Sequence, residues 1–178
     1  NLLTCDKIAA SLDEELQMVV NYASLRHETN PFLPLPFYDI AKDVDLSSMI
    51  PSMIIQIPVE NALKHAFVGM EETSLKPSLT VKIWIEDGML RIDVIDNGCG
   101  GVGAANNRKK VNSAVSTGTG LRILNSTIEM LNAANKRKIY FIMHSNNNDT
   151  DADAENDANR GTIVSIGVPC EYNFDVFQ

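Results

Sequence analysis

Apolar residues recur at helical spacing near the start of the chain. Leu12, Leu16, Val19, Val20 and Ala23 follow at the intervals that put them on one side of a helix. Ser11-Leu12-Asp13-Glu14 opens that helix as a capping box, because the Ser hydroxyl accepts the third helical amide while Glu14 reaches back. The helix is expected to stop near Glu28, ahead of Pro31. Pro31, Pro34 and Pro36 then carry an extended passage into a short strand over 37–42. A second helix is expected from Pro51, whose missing N–H suits a first turn, to about Val68, with Gly69 as its stop.

The period then changes to two. Residues 80–86 and 89–95 both alternate in character, and Asp87-Gly88 between them is a favoured two-residue turn, so they predict a hairpin. Residues 96–120 are rich in glycine and small polar residues and read as a long loop, of the kind that is either a functional lid or disordered. A third helix is expected over 121–132, followed by strands at 138–144 and 162–168. No internal repeat or second domain is visible. Strands bunched as hairpins, rather than in strict βαβ alternation, indicate an α+β layer of helices on a sheet.

Composition narrows the class. In 178 residues, 44% hydrophobic and 21% charged, there is material for one core, and collagen, coiled coil or a wholly disordered chain is excluded. Fifteen Lys and Arg against twenty-three Asp and Glu leave a net charge of −8, which argues against a nucleic-acid surface. No stretch reaches the roughly 18–20 apolar residues of a membrane span, and no signal-peptide pattern opens the chain. Starting at Asn1 without Met, it reads as a piece of something longer. Cys5, Cys99 and Cys170 are too few and too scattered for a disulfide framework or zinc site, which suits a reducing, cytoplasmic setting.

The acidic run over 146–160 alternates Asp149, Asp151, Asp153, Glu155 and Asp157 like a calcium loop. Counted from Asp149, the Gly and bidentate Glu positions of such a loop hold Ala154 and Arg160, so it reads as a solvated insertion.

Candidate chemistry gathers on the second helix and around the glycine-rich loop. At 100° per residue, Ile55, Val59, Ala62, Leu63 and Ala66 form the core stripe. Asn61, Lys64 and His65 fall opposite, with Glu60 at the margin. A carboxamide, an ammonium and an imidazole at i, i+3 and i+4 make a compact face able to hold a metal-bound polyphosphate. Strand 91–95 ends in Asp96-Asn97-Gly98-Cys99-Gly100, and the loop ends in Gly118-Thr119-Gly120-Leu121 at a helix start. Glycines there let backbone amides approach phosphate, and a carboxylate at a strand end accepts well from an exocyclic amine such as that of adenine.

In this order and at these intervals, the motifs resemble those of the ATPase superfamily that unites gyrase, heat-shock chaperones, histidine kinases and MutL. Val59-Glu60-Asn61-Ala62-Leu63-Lys64-His65, Asp96 to Gly100, Thr117 to Leu121 and Gly161-Thr162 look like its N, G1, G2 and final Gly-Thr boxes. The wording of 50–62 is closest to the LytS-like sensor histidine kinases. The likeness covers roughly residues 12–172 and implies a Bergerat two-layer sandwich, a mixed sheet with helices on one face and a mobile ATP lid.

The resemblance also implies roles. Asn61 would ligate Mg²⁺, Lys64 would meet phosphate and His65 would line the phosphate side. Asp96 would bind the adenine amine with Thr162 supporting it through water. Gly98 and Gly100 would allow the turn beside the base, and Gly118, Thr119, Gly120 and Leu121 would close around the phosphates. Glu60 stands where an acid could serve the incoming histidine or orient Mg²⁺. Residues 1–30 would end a dimerisation or linker helix, and 31–178 would form the ATP-binding domain, with 145–160 inserted.

Hydrolytic members of the superfamily place a general-base Glu one helical turn before the box Asn. Here that place holds Ile57, which cannot take a proton, so the likeness points to a kinase that shields the γ-phosphoryl from water. The acceptor histidine of the LytS-like pattern lies upstream of Asn1, with Tyr22 and Arg26 in the positions of that pattern's Tyr and Arg. His27 reads as a helix-end residue. Pro58 sits one place later than the family's Pro and is expected to kink the second helix. Trp84 is expected in the core, Cys99 as loop filling, and Arg108 to Lys110 as a solvated lid face.

The implied protein is the cytoplasmic ATP-binding domain of a membrane-anchored bacterial sensor kinase, a homodimer. It would phosphorylate a helix of its own or a paired chain and supply a response regulator. A hydrolysing ATP clamp and a non-catalytic docking module are the competing classes.

Overall fold

The computed structural model describes residues 8–98, 119–145 and 161–175. The expectations placed on 99–118 and 146–160 lie outside the described residues. Five strands make the main sheet: β2 (Phe37–Ile40), β4 (Leu79–Glu86), β5 (Met89–Asp96), β6 (Tyr140–Ser145) and β7 (Thr162–Pro169). Their order is β2-β4-β5-β7-β6, with β2 parallel to β4 and the other pairs antiparallel. The hairpin forms in the predicted register, Glu86 opposite Met89. Asp87 (φ 52°) and Gly88 (φ 67°) both adopt the left-handed backbone that a tight hairpin turn requires.

Strand alternation places Val81, Ile83, Ile92, Val94, Val164 and Ile166 on one buried face. Helices cover it. α1 (Leu12–Thr29) contributes Leu12, Leu16, Val19 and Ala23, and α3 (Thr119–Ala133) contributes Leu124, Ile128 and Leu131. Each large apolar side chain among them, fully buried, contributes about 1.5–3 kcal/mol. The expected α+β sandwich, a mixed sheet with helices, is what the chain forms.

The capping box of α1 is present in both directions: Glu14 N–H donates to Ser11 Oγ (3.2 Å), and Ser11 N–H donates to Glu14 Oε2 (3.0 Å). Ser11→Ala is expected to lose about 1 kcal/mol, read as a lower denaturant midpoint with unchanged slope.

Three expectations need correction. Pro51 does not open a helix. It ends β3 (Met49–Pro51), which pairs antiparallel with β1 (Ala9–Ser11), Pro51 opposite Ala9. α2 starts later and is short, Gln56–Asn61. Pro58 therefore stands in the first turn of α2 rather than in mid-helix, with the Ile57 N–H to Met53 carbonyl (3.0 Å) and Val59 N–H to Ile55 carbonyl (3.2 Å) bonds on either side of its absent N–H. Instead the chain widens after Asn61 into a π turn, Ala62–Ala66, a local form often found at functional positions. Gly69 (φ 82°) closes the segment as expected. Trp84, third, is half-buried on the sheet face opposite the core, because it shares parity with Thr80 and Lys82 rather than with Val81 and Ile83. The Lys82 ammonium lies 5.5 Å from its ring centroid.

Candidate functional site

The core stripe of the second helix is the one its periodicity predicts: Ile55, Val59, Ala62, Leu63 and Ala66 are all buried. The opposite face carries the polar set. Asn61 is half-buried, and its carboxamide nitrogen is enclosed without a hydrogen-bond partner. Lys64 and His65 are exposed. Lys64 pairs with Glu60 one turn earlier, a contact that raises the ammonium pKa. At 42% exposure for the Lys64 side chain, such a pair contributes little to stability and opens readily to another anion.

Asp96 is the buried acid of the set, 6% exposed at the end of β5. Its Oδ1 accepts the amides of Gly98 (2.9 Å) and Thr162 (3.2 Å), and the Thr162 hydroxyl also bonds the carboxylate. Thr162 thus reaches Asp96 through its own backbone amide. Burial dominates and pushes the Asp96 pKa up, while these three bonds pull it down. A carboxylate has about four acceptor positions, so capacity remains for a donor from a ligand.

Close backbone approaches join the motifs. A Cβ placed on Gly98 would lie 2.2 Å from the Ala66 carbonyl oxygen, so the end of β5 sits directly against the π turn. A Cβ on Gly161 would lie 2.0 Å from the Asp96 carbonyl oxygen. At the start of α3, a Cβ on Gly120 would make ordinary contact with Ile57 at 3.6 Å. Ile57 is itself 6% exposed. Asn61, Lys64 and His65 on one segment, Asp96 and Gly98 on the next, Gly120 and Thr162 therefore share one end of the fold. Thr119 is exposed and Leu121 half-buried at the start of α3. Gly100 and Gly118 lie outside the described residues.

Among the described residues, no cluster of three or more His, Cys, Asp or Glu is built to hold a metal ion alone. The carboxamide oxygen of Asn61, next to the Glu60 carboxylate, is of the type that a cation taking most of its ligands from water and phosphate accepts, as Mg²⁺ does. A separate cleft of about 350 Å³ lies at the far end of the sheet, lined by Leu90, Val168, Cys170, Tyr172 and Phe174 among others, and shares no residue with this site.

No protein-family model matches the chain. Curated relatives do: it is 36% identical over 93 residues to the sensor protein LytS of Staphylococcus saprophyticus, covering 51% of this chain and 15% of that protein. With LytS of Bacillus anthracis it is 24% identical over 174 residues, 95% of this chain and 26% of the other. Among solved structures, the histidine kinase domain of the Erythrobacter litoralis EL346 blue-light activated kinase superposes with a TM-score of 0.53 at 16% identity, covering 93% of this chain and 70% of that one. The catalytic domain of histidine kinase ThkA superposes at 0.52 with 12% identity, covering 93% and 97%. The chain resembles LytS sensor proteins in sequence and shares the fold of histidine kinase catalytic domains.

This LytS-like chain spans about a seventh to a quarter of the length of the curated relatives it matches. Among its described residues no helix is long and apolar enough to cross a membrane. His27 is a helix-end residue whose Nδ1 meets the Leu33 carbonyl at 2.6 Å.

Sequence reasoning missed one residue next to the site. Glu15, 3% exposed, is the other buried acid among the described residues. The signal was present: Glu15 stands three residues after Leu12 and four before Val19, inside the apolar stripe of α1, where a carboxylate demands partners.

Proposed function

We propose that this LytS-like domain binds Mg-ATP across the end of the sheet and passes the γ-phosphoryl group to a histidine on an upstream helix. Asp96 takes the adenine amine, with Thr162 and Gly98 holding the carboxylate in place. Asn61 holds Mg²⁺, Lys64 leaves Glu60 for phosphate, and His65, Thr119, Gly120 and Leu121 border the phosphates together with Gly100 and Gly118. The metal's contribution is to neutralise charge on the phosphate oxygens. In the transfer, the bond from γ-phosphorus to the bridging oxygen of ADP breaks and a phosphorus–nitrogen bond to imidazole forms. The proton on the other imidazole nitrogen is then lost, and Glu60, freed from Lys64, is the carboxylate we assign to receive it.

Ile57 carries the choice of kinase over hydrolase. One helical turn before Asn61, it is apolar, buried and next to Gly120, so no general base for water stands there. Steady-state phosphate release from Mg-ATP by the chain is expected to stay near the buffer rate at nucleotide concentrations that saturate binding. Rapid release would favour the ATP clamp, and absence of binding would favour the docking module. In the full-length protein, label from γ-labelled ATP is expected on histidine, acid-labile and alkali-stable, and lost in Asn61→Ala.

A response regulator would be the next acceptor, and the acceptor helix would belong to a homodimer. Segments outside this chain would anchor it to a membrane, with this domain in the cytoplasm. Residues 1–30 would carry the end of the dimerisation or linker helix into the ATP-binding domain of 31–178.

A further inference from the structure

Two polar contacts from α1 hold the segment that bears Glu60, Asn61 and Lys64. Ahead of that segment, the Glu15 carboxylate accepts the amides of Met53 (2.5 Å), Ile55 (3.3 Å) and Gln56 (3.5 Å). These bonds replace the side-chain cap that Ile55 does not supply to α2. Met53 adopts φ 67°, a left-handed backbone uncommon for a residue with a side chain, within this same turn. Past Asn61, the Arg26 guanidinium donates to the Leu63 carbonyl inside the π turn at 3.4 Å.

Glu15, Tyr22 and Arg26 are seven and four residues apart, which at 100° per residue puts them within about 40° of one line along α1. Tyr22 lies in the field of Glu60, Lys64 and Arg26, and its hydroxyl and Arg26 Nε are buried without hydrogen-bond partners. A buried carboxylate is costly in a helix stripe, where an apolar residue would pack without that cost. Its three amide partners offset the penalty only if α1 and the turn at 53–56 keep their relative placement.

We propose that Glu15 and Arg26 are positioning residues for the phosphate end of the site, and that α1 is the lever through which upstream movement reaches Asn61 and Lys64. The proposal rests on the reading of that segment as the phosphate end. A rigid helix moves both grips together, so a shift of α1 displaces the segment between them. The adenine-end carboxylate of Asp96 is held by the Gly98 and Thr162 amides, and neither Glu15 nor Arg26 bonds it; the gripped segment meets that end only where Ala66 backs onto Gly98.

That division supplies the test. The chain and its Glu15→Gln and Arg26→Met variants are titrated with a non-hydrolysable Mg-ATP analogue and with adenosine. Backbone amide exchange is followed in parallel without ligand. Each variant is expected to bind the Mg-ATP analogue at least fivefold more weakly and adenosine within twofold of the parent chain. Exchange is expected to quicken across 53–66 and to stay unchanged in β4 and β5. Arg26→Lys, which keeps a donor, is expected to recover part of the loss.

Equal losses for both ligands, or none for either, overturn the proposal. If Glu15→Gln does not fold, the Arg26→Met split decides alone. Failure of the parent chain to bind the Mg-ATP analogue would defeat the nucleotide-site reading instead. Exchange across 53–66 would then still decide whether the two grips hold the segment.

Discussion

Asp96→Asn is expected to remove Mg-ATP recognition while leaving the domain at least as stable as before at neutral pH. The reason is that the proposed role of Asp96 is binding, while its burial as a carboxylate costs the fold. Asparagine keeps an oxygen able to accept the Gly98 and Thr162 amides, so local structure survives. It replaces the second oxygen with a donor, which faces an adenine amine as like against like. A hydrogen bond to a charged group contributes about 1.5–3 kcal/mol, so affinity is expected to fall roughly ten- to a hundredfold. At a nucleotide concentration a hundredfold above the parent Kd, ligand stabilisation of about 2.7 kcal/mol would shrink to about 0.4 kcal/mol for a hundredfold loss. A thermal shift with and without nucleotide reads this directly.

The pH dependence of the same pair has a definite sign. Burial raises the folded-state pKa of Asp96 above its ordinary 3.8. The folded protein therefore holds this proton more tightly than the unfolded chain. The stability this group contributes is complete below its unfolded pKa and is lost as pH rises through the raised folded value. A carboxamide at this position does not titrate, so Asp96→Asn is expected to gain on the parent chain as pH climbs from about 4 toward neutrality. A variant that loses stability relative to the parent over that range would show that the ionised carboxylate stabilises the fold.

Gly98→Ala is expected to be one of the most damaging single-methyl changes in the described part of the site. Its Cβ would lie 2.2 Å from the Ala66 carbonyl oxygen and 2.5 Å from the Ala66 carbonyl carbon and Cβ. These are mostly backbone atoms of a π turn, held by its own ladder, and they cannot swing aside as a flexible side chain would. Overpacking against a rigid neighbour costs about 3 kcal/mol or more. For a domain of this size that lowers Tm by roughly 6–12 °C. Nucleotide binding is expected to go with it, because the displaced elements are the strand end bearing Asp96 and the turn bearing His65. Gly120→Ala is the control: its Cβ would meet Ile57 at an ordinary 3.6 Å, and Tm is expected to change little. A mild Gly98→Ala would show that β5 and the π turn are free to separate.

Much of this protein was readable in advance because the signals are local. The capping box of Ser11 and Glu14 links residues three apart, the Asp87-Gly88 turn joins strands that are adjacent in sequence, and the stripe from Ile55 to Ala66 repeats every helical turn. The misplaced elements failed for the opposite reason. Pro51 looks like a helix start until β1, some forty residues earlier, pairs with it. Pro58 looks like a mid-helix residue until α2 proves to start at Gln56, which places the proline in the first turn. Trp84 is hydrophobic enough for a core, yet strand parity is common to the whole hairpin, and Val81, Ile83, Ile92 and Val94 had already taken the inner face.

The sequence by itself determined α1, the β4–β5 hairpin and α3, the polar face of Asn61, Lys64 and His65, and the acid and glycines at the end of β5. Each depends on spacing of a few residues, which backbone geometry converts directly into a shared face or a turn. Only the tertiary structure decided how those pieces meet: Gly98 against Ala66, Ile57 against Gly120, Thr162 on Asp96 across 66 residues, and Glu15 and Arg26 on the α2 segment across 37 to 41. Such contacts follow from the path of the whole chain around one core, and no local period encodes them.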